Sequence, residues 1–203
     1  MKKEMTILYP VGTGLYINLT NRCPCNCTFC IRQKGADFYT NNSLWLEHEP
    51  TFEEVKAALL ADPNLDKYSE FVFCGFGEPT EALEVLLQTA KFIKTKSDKP
   101  IRINTNGLGN LINGKDIVPL LKGIIDCVSI SLNSSNLKIY EMNVRPKFKD
   151  AHKAMIDFAK EAVKVIPSVK MTTVSTTITK EDEENCQKLC DSIGVKYRIR
   201  ELI

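Results

Sequence analysis

The stretch GLYINLTNRCPCNCTFC (residues 14–30) runs from a strand-like apolar segment directly into four cysteines. GLYINLT (14–20) carries the β-branched and aromatic residues of a strand, and NRCPCNC brings the proline and asparagines of a loop. Cys23, Cys27 and Cys30 are spaced C-x3-C-x2-C, with Cys25 between the first two. The chain holds eight cysteines, but they form this one tight cluster plus single residues inside apolar segments. No export signal accompanies them, so the pattern points to metal binding rather than to disulfides.

Working outward, strand-like and helix-like segments alternate for the rest of the sequence. EFVFCGF (70–76), IRINTNG (101–107), DCVSISLN (126–133), VKMTTVSTTI (169–178) and VKYRIREL (195–202) read as strands. Between them, TFEEVKAALLAD (51–62), EALEVLLQTAKFIKTK (81–96), IVPLLKGI (117–124), AHKAMIDFAKEAVKVI (151–166) and EDEENCQKLCDSIG (181–194) read as helices, the first opened by a capping box of Thr51 and Glu54. This order predicts an α/β fold: an open partial (β/α)6 barrel of six mainly parallel strands with outer helices. A flat doubly wound sheet gives the same periodicity, and both architectures bind ligands at the carboxyl ends of their strands. The polar clusters fall at those ends: the cysteines, then GFGEPT, NTNG and SLNSS. No linker or repeat divides residues 1–203, which predicts a single domain.

Composition bounds the function. An apolar content of 43% suffices for a core without staples, and a formal charge of +2 spread along the chain argues against a nucleic-acid or anionic-membrane binder. No apolar run reaches the ~20 residues of a membrane span, and MKKEMTILYPVG lacks the core of a signal peptide, so the expected location is cytoplasmic.

The C-x3-C-x2-C spacing, with Phe29 before the last cysteine, resembles the signature of the radical S-adenosylmethionine (SAM) superfamily. The resemblance implies a [4Fe–4S] cluster on Cys23, Cys27 and Cys30, three thiolates leaving one iron open to the amino and carboxylate groups of SAM. Two other readings of the cysteines stand beside it. One is a zinc knot completed by Cys25, and the other an electron-transfer cluster with Cys25, Cys74 or Cys127 as fourth ligand, either making the chain a non-catalytic iron–sulfur or zinc binding protein. GFGEP (75–79), at the end of the next strand, is similar to the glycine-glycine-glutamate motif of the same superfamily, with Phe76 between Gly75 and Gly77 and with Glu78 following. Glycine there is expected to let the main chain approach the methionine end of SAM, whereas a plain turn before a helix is the alternative.

By the same resemblance, Asn104, Thr105 and Asn106 fall where polar groups lie near the SAM carboxylate, Ser131 and Asn133 where side chains reach the ribose, and Ser175 and Thr176 where they reach the adenine edge. Period-two alternation puts Ser129, Ser131 and Asn133 on one face of their strand. Arg145, Arg198 and Arg200 are candidates for holding an anionic group, or are solvated surface arginines. Cys186 and Cys190, four apart on one helix face, read as apolar packers, and Cys74 as a buried strand residue. Trp45 and His48 belong to a 31–50 loop that covers the cluster or is simply variable.

NRCPCNCTFCIR, FCGFGEP, INTNG and YEMNVRP together are most similar to the short radical SAM proteins associated with TatD-type nucleases. What this implies is reductive cleavage of SAM and hydrogen abstraction from an unidentified substrate. It also implies an electron donor such as flavodoxin or ferredoxin, and a functional link to a TatD-type nuclease. It does not imply a nuclease, since the sequence has no cluster of histidines and carboxylates for metal-assisted hydrolysis. After the sixth strand nothing remains to build a cap, so the substrate is expected to be macromolecular or completed by a partner protein.

Overall fold

A computed structural model describes residues 3–33 and 43–202. Its sheet has seven strands in strictly sequential order: β1 Leu8–Val11, β2 Gly14–Ile17, β3 Glu70–Phe73, β4 Ile101–Thr105, β5 Cys127–Ser131, β6 Ser168–Val174 and β7 Lys196–Arg200. β2 to β7 are parallel to their neighbours, and β1 pairs antiparallel with β2. A doubly wound sheet reverses its strand order at a switch point, and this one never does. Right-handed crossovers therefore lay every helix on the same face, the geometry of an open barrel.

The six expected strands are present, and the seventh, β1, was not anticipated. LYPV joins β2 through a two-residue turn in which Gly12 has φ +58°, a left-handed value that glycine takes freely. Pro10 is tolerated because β1 lies at the sheet edge. The helices are α1 Phe52–Ala61, α2 Leu83–Lys94, α3 Gly109–Asn113, α4 Val118–Leu121, α5 Leu137–Val144, α6 Ala151–Ala162 and α7 Lys180–Ile193. The capping box of Thr51 and Glu54 starts α1 as expected. α3 and α5 lie outside the helical segments that the sequence pattern predicts.

Side-by-side strand partners share a face. Leu15, Ile17, Phe71, Phe73, Ile101, Ile103, Val128, Ile130, Val169 and Met171 point outward into the main core, where they meet Val55, Leu59, Leu86, Ala90, Met155 and Phe158 of the helices. Cys186 and Cys190 are fully buried in that core, as packers. The inner face is different. It carries Tyr16 on β2, Glu70 on β3, Arg102 and Asn104 on β4, Ser129 and Ser131 on β5, Lys170 and Thr172 on β6, and Lys196, Arg198 and Arg200 on β7. At the β1–β2 end a small apolar cluster of Tyr9, Leu44 and Phe76, with Trp45 against Phe76, covers this face. No helix among the described residues is long and apolar enough to cross a membrane.

Candidate SAM and cluster site

The cysteine loop leaves the carboxyl end of β2 and is held from a distant part of the chain. Asn26 N donates to Val144 O at 3.1 Å, Thr28 N to Asn143 O at 2.9 Å, and Lys147 N to Pro24 O at 2.8 Å. Cys25 forms a bridge with Pro146. The NVRP segment is thus the backbone clamp of the cysteine loop, a role that reading YEMNVRP as a family marker did not reveal. Arg145 ends α5 with φ +48°, and its side chain is exposed.

Within the loop the four sulfurs are not equivalent. Cys23, Cys27 and Cys30 are half-buried, while Cys25 is 4% exposed. A hydrogen bond from the Cys25 thiol holds Cys23 below the usual thiol value, and the same bond together with burial drives Cys25 strongly upward. Burial pushes Cys27 up to about 12. Asn106 Nδ2 lies 3.7 Å from Cys25 Sγ and 4.0 Å from Cys23 Sγ. Arg32, a residue sequence reasoning passed over, donates from Nε to Cys30 Sγ at 3.4 Å and from Nη2 to Cys25 O at 3.0 Å. Burial works against its charge, but the Cys30 bond and the fields of Cys30, Cys23 and Cys27 outweigh it and raise its pKa. Among the described residues no three His, Cys, Asp or Glu side chains converge as ligands of a single metal ion.

The GFGEP turn is built against this loop. A Cβ on Gly77 would stand 2.2 Å from Thr20 O and 2.7 Å from Arg22 O, and one on Gly75 would stand 2.0 Å from Asn18 Oδ1. The fold itself therefore demands glycine at both positions, Gly77 against the root of the cysteine loop and Gly75 against the Asn18 side chain. Glu78 N donates to Arg22 O at 2.8 Å. The Glu78 carboxylate is 3% exposed and accepts from Thr80 Oγ1 at 2.8 Å, Thr105 Oγ1 at 2.7 Å and Asn106 N at 2.7 Å. Burial raises its pKa, while these hydrogen bonds pull the other way. Glu78 and Thr105 thus brace the ends of β3 and β4 through their side chains. The Phe76 ring is 6% exposed, and Phe29 is half-buried on the cysteine loop.

The remaining candidates line the carboxyl ends of β4, β5 and β6. Asn104 Oδ1 accepts from Arg102 Nη1 at 2.7 Å, and Arg102 is in turn paired with Glu70 at 2.6 Å. Ser131 has an accessible side chain on the inner face of β5. Asn133 is 3% exposed, sits at φ +62°, and keeps its Oδ1 buried without a partner. Such an orphaned acceptor is what a ribose hydroxyl would satisfy, so the residues at the ends of these strands fit SAM. Ser175 donates from N to Arg200 O at 2.7 Å and accepts from Leu202 N at 3.1 Å through Oγ. Thr176 is exposed with φ +66°, a strained value for a β-branched residue. Trp45 lies on the inner-face cluster, His48 pairs with Glu54 at 2.8 Å, and the rest of the expected covering loop, residues 34–42, lies outside the described residues.

Tyr140 of α5 is fully buried against His152, ring centroids 4.9 Å apart, with its hydroxyl unpartnered. Removing an unsatisfied hydroxyl returns its desolvation cost. Tyr140→Phe should therefore leave the metal-free fold equally stable or more stable by about 1 kcal/mol in urea unfolding. A loss of that size would show that the hydroxyl has a partner.

An open sequential barrel with a three-cysteine loop after its first parallel strand and a glycine-glutamate turn after the next defines the core of a radical SAM protein. The chain belongs to the Radical SAM superfamily, whose model matches residues 17–193; the family uses a [4Fe–4S] cluster and SAM. It is 31% identical to a probable GTP 3′,8-cyclase of Thermococcus kodakarensis over 160 residues, 78% of this chain and 46% of that protein. It is 26% identical to the GTP 3′,8-cyclase of Corynebacterium glutamicum over 94% of this chain and 49% of that one. The chain thus spans about half the length of these curated relatives. Among solved structures, Streptococcus suis SuiB bound to its precursor peptide SuiA superposes with a TM-score of 0.71 at 19% identity, covering 94% of this chain and 39% of that one. SuiB bound to SAM superposes with a TM-score of 0.70 at 18% identity, over 94% and 41%.

Proposed function

We propose that this chain is a radical SAM enzyme that binds its cluster through Cys23, Cys27 and Cys30 and SAM across the carboxyl ends of β3 to β6. The observation that carries the reading is the clamped cysteine loop, with three half-buried thiols beside the GFGEP turn and a fourth, Cys25, buried. When bound, the cluster and SAM supply reductive cleavage of SAM to methionine and a 5′-deoxyadenosyl radical for hydrogen abstraction.

The chain's own residues orient and shield. Main-chain groups at Gly75, Phe76 and Gly77 meet the methionine end of SAM, Asn104 and Thr105 stiffen the next strand end through Arg102 and Glu78, and Ser131 and Asn133 take the ribose. Ser175 lies toward the adenine, and Phe29 packs at the cluster. Arg32 sets a fixed positive charge beside the thiolates, favouring their ionised form. An electron donor such as flavodoxin or ferredoxin is part of this proposal. So is a functional link to a TatD-type nuclease, which rests on the YEMNVRP resemblance. We take residues 1–203 as one radical SAM core.

The direct experiment is anaerobic reconstitution with iron and sulfide, addition of SAM and dithionite, and assay for 5′-deoxyadenosine. Its absence from a reconstituted, SAM-binding protein would defeat the enzymatic reading and leave the binding-protein alternative. A second measurement addresses the ribose contact. Asn133→Gly should melt no lower than the parent, because glycine accepts a φ of +62° without strain. The same change should weaken SAM binding about tenfold, the size of one lost hydrogen bond. Equal SAM affinity in calorimetry would remove Asn133 from the site.

A macromolecular or partner-completed substrate belongs to this proposal; residues 34–42 of the 31–50 segment expected to cover the site lie outside the described residues.

A further inference from the structure

We propose that Arg32 is a positioning residue that sets the reduction potential of the bound cluster, holding a positive charge and an N–H donor on the Cys30 sulfur. The inference rests on the radical SAM reading and adds to it the residue that decides how readily the cluster takes its electron. Arg32 stands in a single 3-10 turn, Ile31–Gln33, that follows Cys30 directly. So short a turn does not hold a long side chain, and the contacts do. Nε donates to Cys30 Sγ at 3.4 Å and Nη2 to Cys25 O at 3.0 Å, which commits two edges of the guanidinium fork to the cysteine loop. The centre of the fork lies 6.0 Å from the Trp45 ring, and that ring meets Phe76 edge-on at 5.2 Å. The half-buried cation is thus wedged between the loop and the apolar cluster that covers the inner face.

The charge of Arg32 is turned on sulfur rather than on a carboxylate. Among the described residues it forms no ion pair with Asp or Glu. Arg22, at the root of the same loop, is the contrast: it is held by both carboxylate oxygens of Glu49, at 2.7 and 2.8 Å, and by Glu81 at 3.2 Å, so its charge is offset. A second donor comes from the end of β4, where Asn106 Nδ2 lies 3.7 Å from Cys25 Sγ and 4.0 Å from Cys23 Sγ. The orientation of that amide is set by its other end, because Oδ1 already accepts from Leu108 N at 2.8 Å. A cation and an amide aimed at cysteine sulfurs suit sulfur that carries negative charge, so these residues fit a cluster held by thiolates. Net charge and hydrogen bonds to the sulfurs are what tune the potential of such a cluster. An added electron makes the site more negative, so a fixed cation bonded to a ligand sulfur favours the reduced form and moves the potential upward.

The test is a mediated redox titration of the reconstituted full chain at fixed pH and without SAM, followed by the electron paramagnetic resonance signal of the reduced cluster. Arg32→Gln should lower the midpoint so that the ratio of reduced to oxidised cluster at a given potential falls at least tenfold, equal to about 59 mV for a one-electron couple. Arg32→Lys keeps the charge but cannot span Cys30 Sγ and Cys25 O together, so its midpoint should lie between those of the parent and Arg32→Gln. Arg145→Gln removes the same charge from an exposed position on the clamp and should leave the midpoint unchanged. A residue that merely braced the loop would alter the melting temperature and iron uptake, not the potential. If Arg32→Gln takes up too little iron to titrate, Arg32→Lys carries the test, with at least a threefold fall in the same ratio expected. The parent midpoint in the variant that carries the test would overturn the proposal, as would an equal shift in Arg145→Gln. Either result beside a parent that still forms 5′-deoxyadenosine overturns this inference alone, whereas a parent that takes up no iron defeats the radical SAM reading and this inference with it.

Discussion

Alanine at Cys23, Cys27 or Cys30 should each abolish iron binding, while alanine at Cys25 should leave the cluster in place. A cube held by three protein thiolates cannot lose one and keep its charge and geometry, so iron content and visible absorbance after anaerobic reconstitution should fall to background in each of the three variants. Cys25 is 4% exposed, bridged to Pro146 and within 3.7 Å of Asn106 Nδ2. Its removal should cost stability, about 1–2 kcal/mol for a small buried side chain and its hydrogen bond, rather than iron. The ligand assignment would be wrong if Cys25→Ala lost the cluster and Cys23→Ala retained it.

Gly77→Ala should prevent assembly of the site altogether. The added methyl group meets two carbonyl oxygens, Thr20 O and Arg22 O, that belong to backbone rather than to the far end of a flexible side chain. Nothing there can rotate away, so either the GFGEP turn or the root of the cysteine loop must move. Overpacking of this kind costs about 3 kcal/mol or more, and it falls on the segment that sets the cysteines. The expected result is a lowered urea midpoint and loss of most of the iron. Gly75→Ala should be milder, since it meets the Asn18 side chain, and Gly75→Ala combined with Asn18→Ala should recover part of the stability. A Gly77→Ala protein that keeps iron and loses SAM alone would show that the ligand, rather than the loop, requires the glycine.

The parts of this molecule that could be read from its sequence are those fixed by local pattern. The apolar runs of β2 to β7 were legible because a strand packed against helices must carry Leu, Ile, Val and Phe in sequence, as Phe71 and Phe73 or Ile101 and Ile103 do. β1 escaped because LYPV is four residues long and contains a proline, although Gly12 supplies the hairpin signal. α5 escaped because its eight residues bury only Tyr140 and Val144, too few positions to show a helical period. The C-x3-C-x2-C spacing and GFGEP were legible because the chemistry is written in contiguous residues. What could not be read is long-range: that Glu78 braces Thr105 and Asn106, that Gly77 faces Thr20 and Arg22, and that Val144 and Asn143 hold Asn26 and Thr28. Each depends on how strands far apart in sequence are brought together, and no window of residues contains it.

The clamp on the cysteine loop also sets a timetable for the cell. The cysteines are made ahead of their backbone partners, which run to Lys147, so the 117 residues from Ile31 to Lys147 must follow before the loop is held. At about 5–20 residues per second that interval is roughly 6–23 s, during which four thiols are exposed on a nascent chain without their fold. Cluster delivery is therefore a late event in the making of this protein, and the vulnerable period for oxidation of its sulfur is the time of its own synthesis.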